Sequence, residues 1–176
     1  NNKFFIEGKN IKSLTKKFST PLYCYSYKSL RENIENFKKA FKEIKPLICF
    51  SVKSNSNISL LKEIKKLGLG ADVVSKGELY AAIKAGINKS KIVFSGVGKT
   101  KDEIEYAIKQ KILLINSESL SEVLAIEKAA KKLNKVVNIG LRLNPDTDAE
   151  TLKQISTGKS ENKFGVDKKT FVKIIN

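Results

Sequence analysis

Short apolar runs alternate with helical patterns along most of this chain, and that rhythm leaves few folds open. Residues 46–52 form an apolar, β-rich run, and a helical spacing follows at Ile58, Leu61 and Ile64. Residues 70–74 read as a strand, and residues 77–85 as a helix with Leu79 and Ile83 inward. A strand at 91–94 precedes a helix at 102–110 with Ile104 and Ile108 on one side. Strands at 111–115 and 136–143 flank a helix at 118–133 whose apolar face carries Leu120, Val123 and Leu124. Another helix begins at 167–175. The strands are short and continuously apolar, as expected when both faces are buried. Their starts recur about every 20 to 24 residues (46, 70, 91, 111, 136), the period of βα units in a parallel sheet.

No Gly-x-Gly-x-x-Gly follows the first strand, which argues against a dinucleotide-binding fold. The α/β alternative is a TIM-type (β/α)8 barrel, normally about 250 residues long. Only five strands are predicted within 176 residues, and the last residues fall inside a helix. The expectation is therefore a partial barrel of about five βα units, the N-terminal part of a longer protein. Ahead of it, residues 20–26 read as a strand starting after a proline. A helix bearing Leu30, Ile34, Phe37, Phe41 and Ile44 follows. That leading strand need not belong to the barrel. The expected division is a leading segment of a second, β domain at 1–26 and the partial barrel at 27–176.

The net charge of +16 raises the question of nucleic acid, but of 34 basic residues only Arg31 and Arg142 are arginine. Base and phosphate readers lean on arginine's planar fork, and the lysines here are scattered over many helices. A solvated lysine-rich surface is expected, with no specific nucleic-acid partner. No run approaches the roughly 18 apolar residues of a membrane span, so no membrane partner is expected. Residues 1–10 lack the apolar stretch of a secretory signal. Cys24 and Cys49 each sit in an apolar run and are expected to be buried free thiols, which excludes a disulfide scaffold and favours the cytoplasm.

In such barrels the chemistry sits at the C-terminal ends of the strands. Lys53 directly follows the first apolar run, where partial desolvation lowers an amine's pKa and makes it a nucleophile toward carbonyls. Asp72 lies inside the second run, where a carboxylate needs a partner. Glu78 falls at the next helix start, a position that also suits simple charge complementarity to the helix. Arg142 ends the fifth strand and is a candidate partner for Asp72. Gly98-Lys99-Thr100 resembles the end of a phosphate loop, but Val93 stands where its first glycine is needed. Residues 146–163 form a long loop with little regular pattern, more often functional than not.

These residues resemble a known family. Phe50-Ser51-Val52-Lys53-Ser54-Asn55 is similar to the lysine motif of the group III, alanine-racemase-like barrel decarboxylases that use pyridoxal phosphate. Thr20-Pro21-Leu22-Tyr23 with Tyr25-Ser26 resembles their opening strand, and Gly70-Ala71-Asp72-Val73-Val74-Ser75 with Gly77-Glu78-Leu79 their second-strand motif. Arg142-Leu143-Asn144-Pro145-Asp146, Ile155-Ser156-Thr157-Gly158 and Lys163-Phe164-Gly165 resemble the diaminopimelate-specific branch.

The resemblance implies pyridoxal 5'-phosphate bound as a Schiff base to Lys53, with Asp72, Glu78 and Arg142 lining the cofactor side. It implies decarboxylation of meso-diaminopimelate to L-lysine, by a homodimer with a shared active site. Other basic amino-acid substrates (ornithine, arginine, carboxynorspermidine) are the alternative, as is a non-catalytic cofactor-binding homologue. Alanine racemases fit less well, because Ser54-Asn55-Ser56-Asn57 stands where their lysine motif continues with Ala-Asp-Ala-Tyr. The chain has no histidine, whereas the family stacks one on the cofactor ring at a position beyond Gly165, and Leu152 takes the place of a second. The family's glycine-rich phosphate loop, the acid at the pyridine nitrogen and the C-terminal domain also have no counterpart. The 176 residues alone are therefore expected to be inactive.

Overall fold

A computed structural model describes residues 3–147 and 164–175. The chain divides into two compact units, Asn1–Pro46 and Leu47–Asn176. In the first, β1 (Phe5–Ile6) pairs antiparallel with β2 (Lys9–Asn10), and α1 (Ile11–Phe18) and α2 (Tyr27–Ala40) follow. Asn10 caps α1 by accepting the Lys12 N–H, and Ser26 caps α2 by accepting the Ser29 N–H. Glu7 ties the hairpin to the start of α2. It accepts the Lys28 N–H at 2.7 Å and the Ser26 hydroxyl at 2.7 Å, bonds that lower its carboxyl pKa.

Residues 20–26, expected as a strand, are irregular instead. A strand holds its shape through a ladder of hydrogen bonds, and none of the described strands pairs with this segment. α2 stops at Ala40, before Phe41 and Ile44, which were expected on its face. Cys24 lies in the irregular segment and is exposed rather than buried, while Cys49 is half-buried; both are free thiols.

The second unit carries β3 (Cys49–Ser51), a single 3-10 turn (Val52–Ser54), α3 (Ile58–Lys66), β4 (Gly70–Val73) and α4 (Lys76–Lys84). It continues through β5 (Ile92–Phe94), α5 (Lys101–Gln110), β6 (Leu114–Ser117), α6 (Leu120–Leu133), β7 (Ile139–Leu141) and α7 (Lys168–Ile175). The five strands pair in chain order, each parallel to the next. Beyond β7, Leu143 and Val166 form an isolated parallel bridge, and α7 follows shortly after.

Burial alternates along the strands rather than covering both faces. Ala71, Val73, Ile92, Phe94 and Ile115 are fully buried. With them are buried Leu61 and Ile64 of α3, Leu79 and Ala82 of α4, Ile104, Ala107 and Ile108 of α5, and Ile126 and Ala129 of α6. Each fully buried Leu or Ile stabilises by about 1.5–3 kcal/mol. The opposite face carries Cys49, Ser51, Asp72, Val93, Leu114 and Asn116, all less buried. β6 starts three residues later than expected because Lys111 ends α5 in the left-handed conformation (φ 54°) and cannot open a strand.

Gly70 marks a close approach inside this sheet. A Cβ there would collide with the backbone carbonyl of Lys91 and lie 2.9 Å from the Cys49 sulfur. Gly77, in the first turn of α4, meets only the Ser75 hydroxyl, at 3.8 Å. Gly70→Ala is therefore expected to destabilise the full-length gene product by about 3 kcal/mol, whereas Gly77→Ala changes stability by under about 1 kcal/mol. Urea midpoints for the two variants check this, and equal midpoints would contradict the packing described.

Candidate functional site

Because successive strands are parallel, their C-terminal ends share one edge of the sheet. Lys53, Asp72, Glu78 and Arg142 all fall at or just past that edge. Lys53 sits in the turn after β3. Val52 is fully buried and anchors that turn, and the Asn55 N–H closes it on the Val52 carbonyl at 3.0 Å. The turn lifts Lys53 into an exposed position, so the expected desolvation is not found among the described residues. Its ammonium makes no hydrogen bond or ion pair with any of them.

Asp72 was expected to pair with Arg142. Instead the Ser95 hydroxyl donates to Asp72 Oδ1 at 2.6 Å, and the Asn116 side-chain amide donates to Ser95 Oγ at 3.1 Å. Three adjacent strand ends thus feed one directional chain that stops at the carboxylate. Cys49 lies on the same face of β3, and its thiol pKa is pushed up by burial and then by the Asp72 charge.

Arg142 is held by Glu118 at 3.3 Å, and its guanidinium lies over the Phe164 ring, 5.0 Å from the centroid. The physical reason is strand order. β4 and β7 are separated by two strands, roughly 14 Å along the sheet at about 4.8 Å per strand, whereas Glu118 ends the adjacent strand β6.

Glu78 turns to the backbone. Its Oε2 accepts the Val74 N–H at 2.9 Å, while its own N–H donates to the Ser75 hydroxyl at 3.2 Å, so it fixes the β4–α4 turn. The next two helices start in the same way. Thr100 and Glu103 form a full capping box on α5. On α6, Ser119 accepts the Glu122 N–H while Glu122 Oε2 accepts the Glu118 N–H at 2.9 Å. Removing such a cap typically costs about 1 kcal/mol. Glu103 also accepts the Lys76 N–H at 2.9 Å, joining α5 to α4. Burial opposes ionisation of Glu103, but the hydrogen bonds from Thr100 and Lys76 outweigh it and leave the pKa lowered.

Several residues of this edge escaped the sequence reading: Ser95, Asn116, Glu118, Glu122 and the role of Lys99. The Ser/Thr-x-x-Glu spacing at Ser75, Thr100 and Ser119 was the available signal for the caps. Lys99, in the stretch resembling a phosphate loop, has its side chain 1% exposed. It donates to the carbonyls of Gly96 and Asn116 and to Glu122, each at 2.7 Å. The resemblance of Gly98-Lys99-Thr100 to a nucleotide loop therefore has a structural explanation. The motifs at Leu152, at residues 155–158 and at Lys163 lie outside the described residues. Among the described residues no helix is long and apolar enough to cross a membrane.

Fold and site together define an α/β domain of the barrel type that gathers polar and charged groups at its strand C-termini. A family model described as the pyridoxal binding domain of pyridoxal-dependent decarboxylases matches residues 27–176. The chain belongs to that family. The diaminopimelate decarboxylase of Helicobacter pylori strain J99 is 48% identical over 160 residues, covering 91% of this chain and 40% of its own length. That of Aquifex aeolicus is 47% identical over 163 residues, covering 93% and 38%.

Among solved structures, H. pylori diaminopimelate decarboxylase complexed with L-lysine superposes with a TM-score of 0.90 at 45% identity, covering 94% of this chain and 42% of that one. The M. jannaschii enzyme in complex with L-lysine gives 0.90 at 38%, covering 99% and 42%. An arginine decarboxylase from Paramecium bursaria Chlorella virus, at 23% identity and a TM-score of 0.60, shares the fold alone. The chain spans about 40% of the length of the relatives it matches, and its five parallel strands are part of the family's barrel.

The Lys99–Glu122 pair is open to a direct test. Lys99→Met leaves Glu122 buried without its cation and is expected to destabilise the gene product by about 3–5 kcal/mol. Adding Glu122→Gln to that variant should recover most of the loss. Denaturant titration of the single and double variants gives both values; a cost for Lys99→Met below about 1 kcal/mol would remove the pair from the account.

Proposed function

We propose that this chain is the cofactor-holding part of a pyridoxal-phosphate-dependent carboxy-lyase that converts meso-diaminopimelate to L-lysine. The observation that carries the reading is Lys53, a lysine amine with no partner among the described residues, presented where the strands end. Two other groups at the strand ends fit the cofactor: Asp72, with one carboxylate oxygen fixed by Ser95, and Arg142, a half-exposed cation paired with Glu118. The relatives at 46–48% identity are diaminopimelate decarboxylases, whereas the arginine decarboxylase shares only the fold. That contrast favours diaminopimelate over ornithine, arginine or carboxynorspermidine, and an enzyme over a non-catalytic homologue.

In this reading Lys53 would hold the cofactor covalently through its amine and, when free, would act on protons. Bound pyridoxal phosphate supplies an electron-accepting ring for the pair left behind as carbon dioxide departs. Asp72 and Arg142 orient the group from two sides of the strand ends, with Asp72 kept in one rotamer by the Asn116–Ser95 chain. Glu78 contributes through the β4–α4 turn. The protein's main task would be to hold the substrate in the orientation from which its carboxylate departs most readily.

The reading extends to features for which resemblance is the support. Residues 1–26 are assigned to a β domain apart from the barrel. The working enzyme is a cytoplasmic homodimer whose partner completes the site, and the 176 residues alone are inactive.

Borohydride reduction of the full-length gene product with pyridoxal phosphate, followed by peptide mass mapping, tests the attachment. The expected adduct lies on Lys53 and is lost in Lys53→Ala. An adduct on another lysine would overturn the assignment. Carbon dioxide release from meso-diaminopimelate, compared with ornithine and arginine, then tests the substrate.

A further inference from the structure

At the end of β6 lies a buried carboxylate that the chemistry above does not use. Glu118 is 5% exposed, and its two oxygens are divided between Arg142, just past β7, and Gly165, ahead of α7. Oε1 accepts from Arg142 Nη1 at 3.3 Å, and Oε2 accepts the backbone N–H of Gly165 at 3.1 Å. The Glu118 N–H is itself fixed by Glu122 at 2.9 Å, and Glu122 is held by Lys99. Gly165 has no room for a side chain. A Cβ there would lie 2.7 Å from the Arg142 carbonyl, and the Val166 N–H donates to that same carbonyl at 2.8 Å. Glu118 is thus rigidly mounted, while the group it holds is not rigid by itself. Arginine carries about 2 kcal/mol of rotamer entropy, and the Arg142 side chain is 41% exposed. Its guanidinium also lies over the Phe164 ring.

We propose that Glu118 is a positioning residue for the cofactor: it holds the Arg142 guanidinium in the orientation that meets pyridoxal phosphate, and it fixes the backbone ahead of Val166 through Gly165. This rests on the reading that Arg142 faces the cofactor. A packing role alone would need no charge at this place, since burying a carboxylate is costly unless its partners repay it. The mounting runs from Lys99 through Glu122 and Glu118 to Arg142, so the cation at the end of β7 is anchored in the loop after β5.

A double-variant cycle on the full-length gene product tests the proposal. Glu118→Gln, Arg142→Gln and their combination are stripped of cofactor and titrated with pyridoxal phosphate, and the dissociation constant is read from absorbance. Arg142→Gln should weaken binding roughly tenfold, and Glu118→Gln by a similar factor, the scale seen when a group orienting a ligand-binding residue is lost. The combination should be no weaker than Arg142→Gln alone, because one variant acts through the other. Glu103→Gln, a cap change at the start of α5, should lower the melting temperature and leave the dissociation constant unchanged.

Additive losses, or a Glu118→Gln constant equal to that of the unmodified protein beside a weakened Arg142→Gln, would overturn the positioning role and leave the site reading intact. An unchanged constant in Arg142→Gln would overturn both. Should Glu118→Gln fail to fold, Glu118→Asp, which keeps the charge but draws it back by one methylene, takes its place in the same cycle.

Discussion

Parallel pairing in chain order is the constraint on which the rest of this structure depends. It sends every strand out of the sheet at the same edge, and the chain must then pass from extended to helical backbone within a few residues. Each passage exposes helix N–H groups that nothing in the helix can satisfy. The protein answers with Asn57, Ser75, Thr100 and Ser119 as caps. Glu78, Glu103 and Glu122 reach back to the backbone at or just before the last three. These carboxylates also sit at the positive ends of helix dipoles. The edge that carries the chemistry is therefore rigid for reasons of backbone hydrogen bonding, before any ligand is considered.

On that edge the charges fall into two kinds. Lys99, Glu122 and Glu118 are buried and mutually satisfied, and Arg142 is tied to them. Lys53 is exposed and has no partner among the described residues. Buried ion pairs are weak evidence for stability, since desolvation offsets most of their attraction. What they do provide is a fixed arrangement, and a fixed arrangement is what a cofactor site requires of residues that orient rather than react. The role proposed for Lys53, an amine that exchanges partners, calls for the opposite, a side chain free of ion pairs, and among the described residues Lys53 has none.

The fold was legible because the helix-facing side of the sheet is apolar at every other strand position. Ala71, Val73, Ile92, Phe94 and Ile115 dominate the hydropathy pattern, and the helices repeat at helical spacing. The five units and their order followed from that alone. The pattern was less informative about the opposite face. Ser95, just past the end of β5, looked like loop, yet it supplies the Asp72 partner. The pairing of Asp72 with Arg142 failed because two strands lie between β4 and β7, and hydropathy does not say which neighbour a side chain reaches. The leading strand at 20–26 failed for a related reason: apolar and β-branched residues permit a strand, but a strand exists only where another lies beside it.

Lysine shows most directly why residue type was insufficient and geometry decisive. An ammonium group has three donors and no acceptor. In Lys99 all three are used within the protein, on two carbonyls and one carboxylate. Meeting a phosphate would require breaking those bonds in a site closed to water, and burying an unsatisfied donor or acceptor costs about 1–3 kcal/mol each. Lys99 is thus bound into the scaffold although its neighbours spell part of a phosphate loop. Lys53, which follows the buried Val52, has no partner for its donors among the described residues. In a chain whose basic residues are nearly all lysine, counting committed donors separates a lysine bound into the scaffold from one left open to a ligand.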